Sequence, residues 1–254
     1  MVKLISAVYK GLRNIATYHV AIIKVWHRLR RIAETLLGTK FNELVWRFYH
    51  VYKPYWAEGY ISAVSFSHPH RQLLVERISS NAPFTSVLEI GCASGPNLYL
   101  LAKRFSNVRF VGVDINPEAV RQGNLFFKQQ GMHNVSLFEG KADEVKGFPD
   151  KSFDIVFTDA VLMYIGRDKI KKVAREIQRV ARKAIILVEH HSEPESDLGS
   201  HTEKWWLRNY IKLFEPFSNQ INTTKIPPEI WGGNWGKFGY IIEVKMPRLW
   251  GNRS

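Results

Sequence analysis

Apolar residues recur at Leu4, Val8, Leu12, Ile15, Ile22, Trp26, Leu29 and Leu36, diluted by His19 and Ala33. These intervals put them on one face of a helix. Lys3, Lys10, Arg13, Lys24, Arg28 and Arg31 fall on the other face. The pattern predicts a long basic amphipathic helix, broken near Gly11 and ending near Gly38. Phe41, Trp46, Phe48, Tyr49, Tyr52, Tyr55, Trp56 and Tyr60 follow. A cluster that dense packs as a cap over a core or walls an acceptor pocket, because aromatic rings give large contact area with few rotors. His68-Pro69-His70-Arg71 then opens a helix running to about Ser79.

Beyond the break at Asn81-Ala82-Pro83 the pattern changes. Ser86–Ile90 is a short apolar run of the kind that forms a buried strand. A turn of small residues, Gly91-Cys92-Ala93-Ser94-Gly95-Pro96-Asn97, leads into a helix over 97–102. Strand, small-residue turn and helix make the nucleotide-binding opening of a doubly wound α/β sheet, where the ligand must approach the backbone closely. Further strands are predicted over 107–114, 135–139, 153–158, 184–188, roughly 219–225, and 239–245. A helix rich in Lys and Arg covers 168–181. Asn116-Pro117-Glu118 supplies a cap and a first-position proline for another helix.

A dinucleotide fingerprint would place glycines where Gly91, Ala93 and Pro96 stand, so that match fails. The Gly-Lys-Ser/Thr of a phosphate-binding loop is absent. The run Glu89-x-Gly91-x-Ala93-x-Gly95 instead resembles the first motif of the class I S-adenosylmethionine-dependent methyltransferases, with Ala93 for the usual second glycine. The resemblance covers about residues 70–246. It implies a Rossmann-like three-layer sandwich with a seven-stranded, mostly parallel sheet, preceded here by an N-terminal helical extension. The boundaries expected are 1–60 for the extension and aromatic cap and 61–254 for the methyltransferase domain. S-adenosyl-L-methionine is the implied cofactor. Glu89, Gly91, Cys92, Ala93 and Gly95 form its first turn, Asp114 holds the ribose hydroxyls, and Ile115 lies beside the adenine. Family members usually carry Gly-Asp-Ala after the third strand. Lys141 stands there in place of Asp, so the adenine contact passes to Asp143 or to the backbone of Ala142. Asp159, after the fourth strand, falls near the methionine end or the acceptor.

Methyl transfer from a sulfonium is an in-line displacement in which alignment does much of the work. A hydroxyl acceptor also gains from a base near neutral pKa, and histidine is the natural choice. His190 and His191 end the fifth strand, and ligand sites in such sheets lie beyond the carboxyl ends of strands. Side chains alternate along a strand, so one of the two is expected to face the cleft, with His190 favoured and Asp159 as a further catalytic candidate. His68, His70, Arg71, Tyr164, Trp205 and Trp231 are candidates for the acceptor pocket. The stretch Trp231-Gly232-Gly233-Asn234-Trp235-Gly236 reads as a flexible, stacking loop that closes over an acceptor, or equally as a packed turn. Asp159, Glu189 and His190 have no diagnostic metal-ligand spacing, and no metal is expected. Cys92 is a small buried hydrophobe.

Composition narrows the setting. The chain has 254 residues, is 45% hydrophobic and carries one cysteine, which excludes bulk disorder and a disulfide scaffold. No apolar run of about 18 residues is free of charge, against an integral membrane protein. The net charge is +13. Ten basic residues face two acidic ones within residues 1–53, so +8 of that charge sits in the first 53 residues. Such asymmetry suggests an anionic partner for the extension, and an anionic membrane surface fits its charge and Trp26. The alternative is packing on the domain or on a second subunit. His19 and Lys24 interrupt any secretory signal, so the expected setting is the cytoplasm or its membrane face. The reading is methylation of a small-molecule, glycan or lipid-like acceptor, by O- or N-transfer. Nucleic acid is a weaker alternative, since no Asn/Asp-Pro-Pro-Tyr type motif follows the fourth strand. A non-catalytic binding protein on the same fold is the third reading, hinted at by Ala93 and Lys141.

Overall fold

The computed structural model describes residues 25, 28–53, 55–145, 147–193, 200–201 and 205–247. The first 24 residues of the predicted amphipathic helix, with Trp26 and His27, lie outside the described residues. Residues 28–37 are helical (α1). Four short helices follow: α2 (Thr39–Arg47), α3 (Tyr49–Tyr52), α4 (Trp56–Tyr60) and α5 (Ala63–Phe66). The longer α6 (Pro69–Ser79) starts with Pro at its first turn, and His68 Nδ1 accepts the His70 N–H as its cap.

The α/β unit runs β1 (Ser86–Ile90), α7 (Pro96–Arg104), β2 (Arg109–Asp114), α8 (Pro117–Gln129), β3 (Val135–Glu139), β4 (Phe153–Asp159), α9 (Ile170–Val180) and β5 (Ala181–His190). A small ribbon of β6 (Ser200–His201) and β7 (Trp206–Leu207), then α10 (Tyr210–Phe214), interrupt the sheet. β8 (Ile221–Lys225), α11 (Pro228–Trp231), α12 (Gly233–Phe238) and β9 (Gly239–Lys245) complete it. The seven-stranded sheet has the order β3-β2-β1-β4-β5-β9-β8. The first five strands pair in parallel, and β9 lies antiparallel between β5 and β8.

Strand alternation divides the core between the two faces. Leu88, Val111, Val156 and Ile185 pack against Ile170, Val173 and Ile177 of α9 and Phe214 of α10. Val87, Phe110, Ile155 and Ile186 pack against Leu74 and Ile78 of α6, Leu98 and Leu101 of α7, and Phe127 of α8. Helices on both faces of a parallel sheet leave the carboxyl ends of β1, β2 and β4 open, and the N-terminal helices α2 and α4 close over them.

Two expectations change here. The Trp-Gly stretch is not a loop: it forms α11 and α12, joined at Gly232 and Gly233, whose φ angles are +63° and +50°. β5 extends beyond 184–188 at both ends. Its polar ends remain strand because β4 pairs with Ala181 and β9 pairs His190 with Gly239.

Candidate active site

The floor of the cavity is largely backbone. Gly91 donates its N–H to Val113 O at 2.7 Å and sits at φ +76°. A Cβ there would lie 2.2 Å from Val161 Cγ2, so only glycine lets the turns after β1 and β4 approach this closely. Ala93 takes the left-handed conformation too, at φ +47°. Its N–H donates to Asp114 Oδ2 at 2.8 Å, while Asn116 N–H donates to Oδ1 at 2.8 Å. Asp114 is thereby locked at the end of β2 with its carboxylate on the cavity. Gly95 does not line the cavity. Its missing side chain makes room for Phe127, whose Cε2 would stand 2.8 Å from a Cβ. Cys92 is 1% exposed, and burial pushes its thiol well up. Ile115, Ala142 and Asp143 line the cavity at its far end.

A buried polar cluster stands at the ends of β1 and β4. Asn97 Nδ2 donates to Glu89 Oε1 at 2.7 Å and to Asp159 Oδ2 at 3.0 Å. Arg71 donates to Asn97 Oδ1 at 2.6 Å and lies 3.6 Å from Asp159. His70 Nε2 is 3.2 Å from Asp159 Oδ2. Glu89 Oε2 and Asp159 Oδ1 are buried with no hydrogen-bond partner, and both residues line the cavity. Burial lifts the Glu89 carboxyl well above its usual range, against the Asn97 hydrogen bond. Burial acts on Asp159 as well, but His70, Arg71 and Asn97 together hold its carboxyl below the usual range. Burial and the charged neighbours thus drive the two carboxyl groups apart in acidity.

The roof comes from the N-terminal helices. Asn42 and Trp46 of α2 and Trp56 and Tyr60 of α4 line the cavity. Thr39 N and Oγ1 donate to Asp168, Asn42 Nδ2 to Tyr164 O at 3.2 Å, and Asn116 Nδ2 to Trp46 O at 2.9 Å. Glu43 pairs with Lys169 and, at 3.1 Å, with Lys141. Lys141 therefore fastens the roof instead of leaving the family's acidic position merely vacant. Asp143 is engaged by Lys172 at 2.7 Å and Lys169 at 3.5 Å. Tyr164 packs edge-on against Trp46, and burial pushes its hydroxyl up to about 12. Thr39, Asn42, Glu43 and Asn97 are cavity residues that the sequence pattern does not single out. Only the i, i+3, i+4 spacing of Thr39, Asn42 and Glu43 on one helix face hints at a shared role.

The structure sets the histidine pair elsewhere. His190 is 1% exposed and enclosed by Trp205, Trp235 and Phe238, with neither ring nitrogen partnered among the described residues. Burial lowers it to about 4. His191 accepts the Tyr210 N–H at Nδ1 and meets Glu193 at Nε2. Neither lines the cavity, because pairing with β9 carries β5 past the ends of its neighbours. Glu189 instead accepts the N–H groups of Val161, Leu162 and Met163 and shapes the turn after β4. Asp159, Glu189 and His190 thus point to three different places, and no three potential ligands converge among the described residues. Of the acceptor candidates, Arg71 and Tyr164 line the cavity. His68, His70 and Trp231 form a layer behind Asp159, with Trp231 stacked on His70 at 4.0 Å, and Trp205 lies with His190.

Known proteins resemble parts of this chain. A family model described as a methyltransferase domain matches residues 87–184. A Bacillus subtilis protein, the uncharacterized methyltransferase YcgJ, is 29% identical over 108 residues, covering 42% of this chain and 41% of that protein. The chain spans about a quarter to two fifths of the length of the first curated relatives it matches. Among solved structures, a putative methyltransferase of Haloferax volcanii, crystallised with its activator Trm112, superposes with a TM-score of 0.58 at 17% identity, over 80% of this chain and 97% of that one. The geranyl diphosphate C-methyltransferase of Streptomyces coelicolor superposes at 0.56 with 11% identity, over 69% and 76%. The structural matches share the fold, and the family model falls on β1 through the start of β5, so residues 87–184 carry a methyltransferase domain of the class I S-adenosylmethionine-dependent type.

Proposed function

We propose that this protein transfers a methyl group from S-adenosylmethionine to an oxygen or nitrogen of a small-molecule, glycan- or lipid-linked acceptor at an anionic membrane surface. The residues present fit the donor. Its cationic sulfonium suits a wall carrying the carboxyl groups of Glu43, Glu89, Asp114, Asp143 and Asp159 against the three cations Arg71, Lys141 and Lys169. The unpartnered Glu89 Oε2 suits its amino group, Asp114 its ribose hydroxyls, and Ile115 and Ala142 its adenine. The donor supplies an activated methyl group. The chain's own part is to align acceptor and methyl and to exclude water, with Asp159 receiving the acceptor's proton.

The observation that carries the membrane reading is the two-faced roof. Residues of α2 and α4 line the cavity, whereas Leu29, Ile32, Leu36 and Leu37 of the adjoining α1, Leu44 of α2, and Phe48, Val51 and Tyr55 are exposed, Leu36 by 77% and Tyr55 by 81%. Arg28, Arg31, Lys40 and Lys53 are exposed among them. Apolar side chains framed by cations match an interface of acyl chains and anionic headgroups. No described helix is long and apolar enough to cross a membrane. The Streptomyces enzyme, whose structure holds a geranyl thiolodiphosphate, illustrates an apolar chain on an anionic head as an acceptor in this fold.

Flotation with phosphatidylcholine/phosphatidylserine vesicles tests it. The protein should float with anionic vesicles and be released by salt. Leu29→Gln/Ile32→Gln/Leu36→Gln should bind at least about tenfold more weakly, with an unchanged melting temperature. Unaltered flotation of the variant, or salt-sensitive binding to RNA in place of vesicles, overturns the reading.

A further inference from the structure

We propose that His70 and His68 form a proton path that carries the acceptor's proton from Asp159 to solvent. This rests on the reading above, in which the acceptor is an O–H or N–H. Transfer forms a bond from that oxygen or nitrogen to the methyl carbon as the carbon–sulfur bond breaks. The electron pair returns to sulfur, and one proton must leave the acceptor.

Three observations place the route. Asp159 lines the cavity and its Oδ1 is buried without a partner, so one carboxylate oxygen is free to receive the proton. Its Oδ2 is already 3.2 Å from His70 Nε2. His70 is 6% exposed, and its other ring nitrogen, Nδ1, lies 2.6 Å from Nδ1 of His68, which is half-exposed. Two ring nitrogens at that distance attract only when a proton sits between them. Along the chain Asp159–His70–His68 the Asp159 carboxylate gains the acceptor's proton and gives one to His70 Nε2, His70 Nδ1 gives one to His68 Nδ1, and His68 releases one from Nε2 to water, which restores the carboxylate. Trp231 stacks on His70 at 4.0 Å and on Trp235 at 4.1 Å, fixing the ring plane along this line.

Among the described residues, the groups facing the path are few. Arg71, on the same helix, lies 3.6 Å from Asp159 and favours its ionised form. Glu89 at the end of β1 connects through Asn97. Tyr60 of α4 sits under Arg71, 5.6 Å from its guanidinium, and burial raises its hydroxyl. α11 contributes the uncharged Trp231. Burial and the neighbouring His70 lower His68, which favours release of a proton that reaches it. A capping role alone, with His68 Nδ1 accepting the His70 N–H at 3.3 Å, would need neither the contact with Asp159 nor the free Oδ1. Asp159 faces the acceptor; His70 and His68 act through it as positioning residues.

The test uses the full chain saturated with S-adenosylhomocysteine. The ring carbons of His68 and His70, assigned with His68→Gln and His70→Gln, should titrate as a coupled pair. Asp159→Asn should shift both midpoints, a change of at least about threefold in proton affinity. Independent titration of the two rings, unmoved by Asp159→Asn, overturns the path. Tritiated-methyl transfer into vesicles of source-cell lipid is the second readout. His70→Gln should slow it by about 100-fold near neutral pH, recover with rising pH or added imidazole, and leave S-adenosylhomocysteine affinity unchanged. A loss equal at every pH overturns the path. Absence of label in the vesicles would fail the proposed acceptor class and leave the titration to decide the path.

Discussion

The floor of the cavity is made by turns that follow β1, β2 and β4, and its shape rests on the left-handed backbone of Gly91 and Ala93, the Gly91 N–H bond to Val113 O, and the Asp114 carboxylate that accepts the Ala93 and Asn116 N–H groups. The roof is made by α2 and α4, and the hydrogen bonds that join it to the floor each need a side chain: Asp168, Asn42, Asn116, Glu43. The floor suits a donor that is the same in every turnover. The roof suits an acceptor that must enter and leave, because side-chain clasps open without unfolding a strand. The contrast extends to solvent: the floor sits on the apolar core, whereas α1, which leads into the roof, exposes leucines and arginines together.

The largest effect is expected on the floor. Gly91→Val puts a branched side chain where even a Cβ meets Val161 and where φ is positive. It should cost about 3 kcal/mol in thermal unfolding and abolish detectable S-adenosylhomocysteine binding by calorimetry. If the variant binds normally, the backbone is not what shapes the donor site.

The end of β5 belongs to neither surface, and its pH behaviour shows that. His190 is lowered to about 4, below its unfolded value, so it contributes stability above about pH 6.5 that is lost as pH falls towards 4. Denaturant titrations over that window should show a loss of about 2–3 kcal/mol that is absent in His190→Leu. Methyl transfer by His190→Leu should stay within about twofold of the parent, since His190 lies off the cavity. A pH-independent difference between the two proteins would contradict its enclosure as a neutral ring.

Asp114→Ala should weaken S-adenosylmethionine binding by at least about tenfold, the scale of a charged hydrogen-bond acceptor lost from a buried site. Unchanged affinity would remove the ribose assignment. The smallest effect belongs to the roof. Glu43→Gln breaks ion pairs with Lys141 and Lys169 that are partly open to solvent, and should cost about 1 kcal/mol or less. Its signature should be faster amide exchange over residues 39–47 with β1 unaffected. Uniformly faster exchange would mean that roof and floor open as one body.

The same contrast explains what could be read in advance. Ser86–Ile90, Val135–Glu139 and Gly239–Lys245 are legible to the residue, because a short strand-forming run bounded by turn residues has one economical conformation. The turn after β1 is legible because its glycines lie within five consecutive positions. The polar cluster is not, because it joins residues 70, 71, 89, 97 and 159, whose meeting is decided by strand order. His190 and His191 mislead for a related reason: alternation says that one of two neighbours faces each side, but not that an antiparallel β9 carries both past the cleft. The Trp-Gly stretch reads as a loop on local propensity, and stacking of Trp231 on Trp235 overrides it.

The central claim is methyl transfer at a membrane surface, and one assay addresses it most directly. The protein is incubated with tritiated-methyl S-adenosylmethionine and source-cell extract separated into RNA, protein, lipid/glycan and small-molecule fractions, with the lipid fraction presented as anionic vesicles. The account predicts label in the lipid/glycan or small-molecule fraction, enhanced by vesicles and reduced in Leu29→Gln/Ile32→Gln/Leu36→Gln. Label confined to RNA or protein and indifferent to vesicles would contradict it.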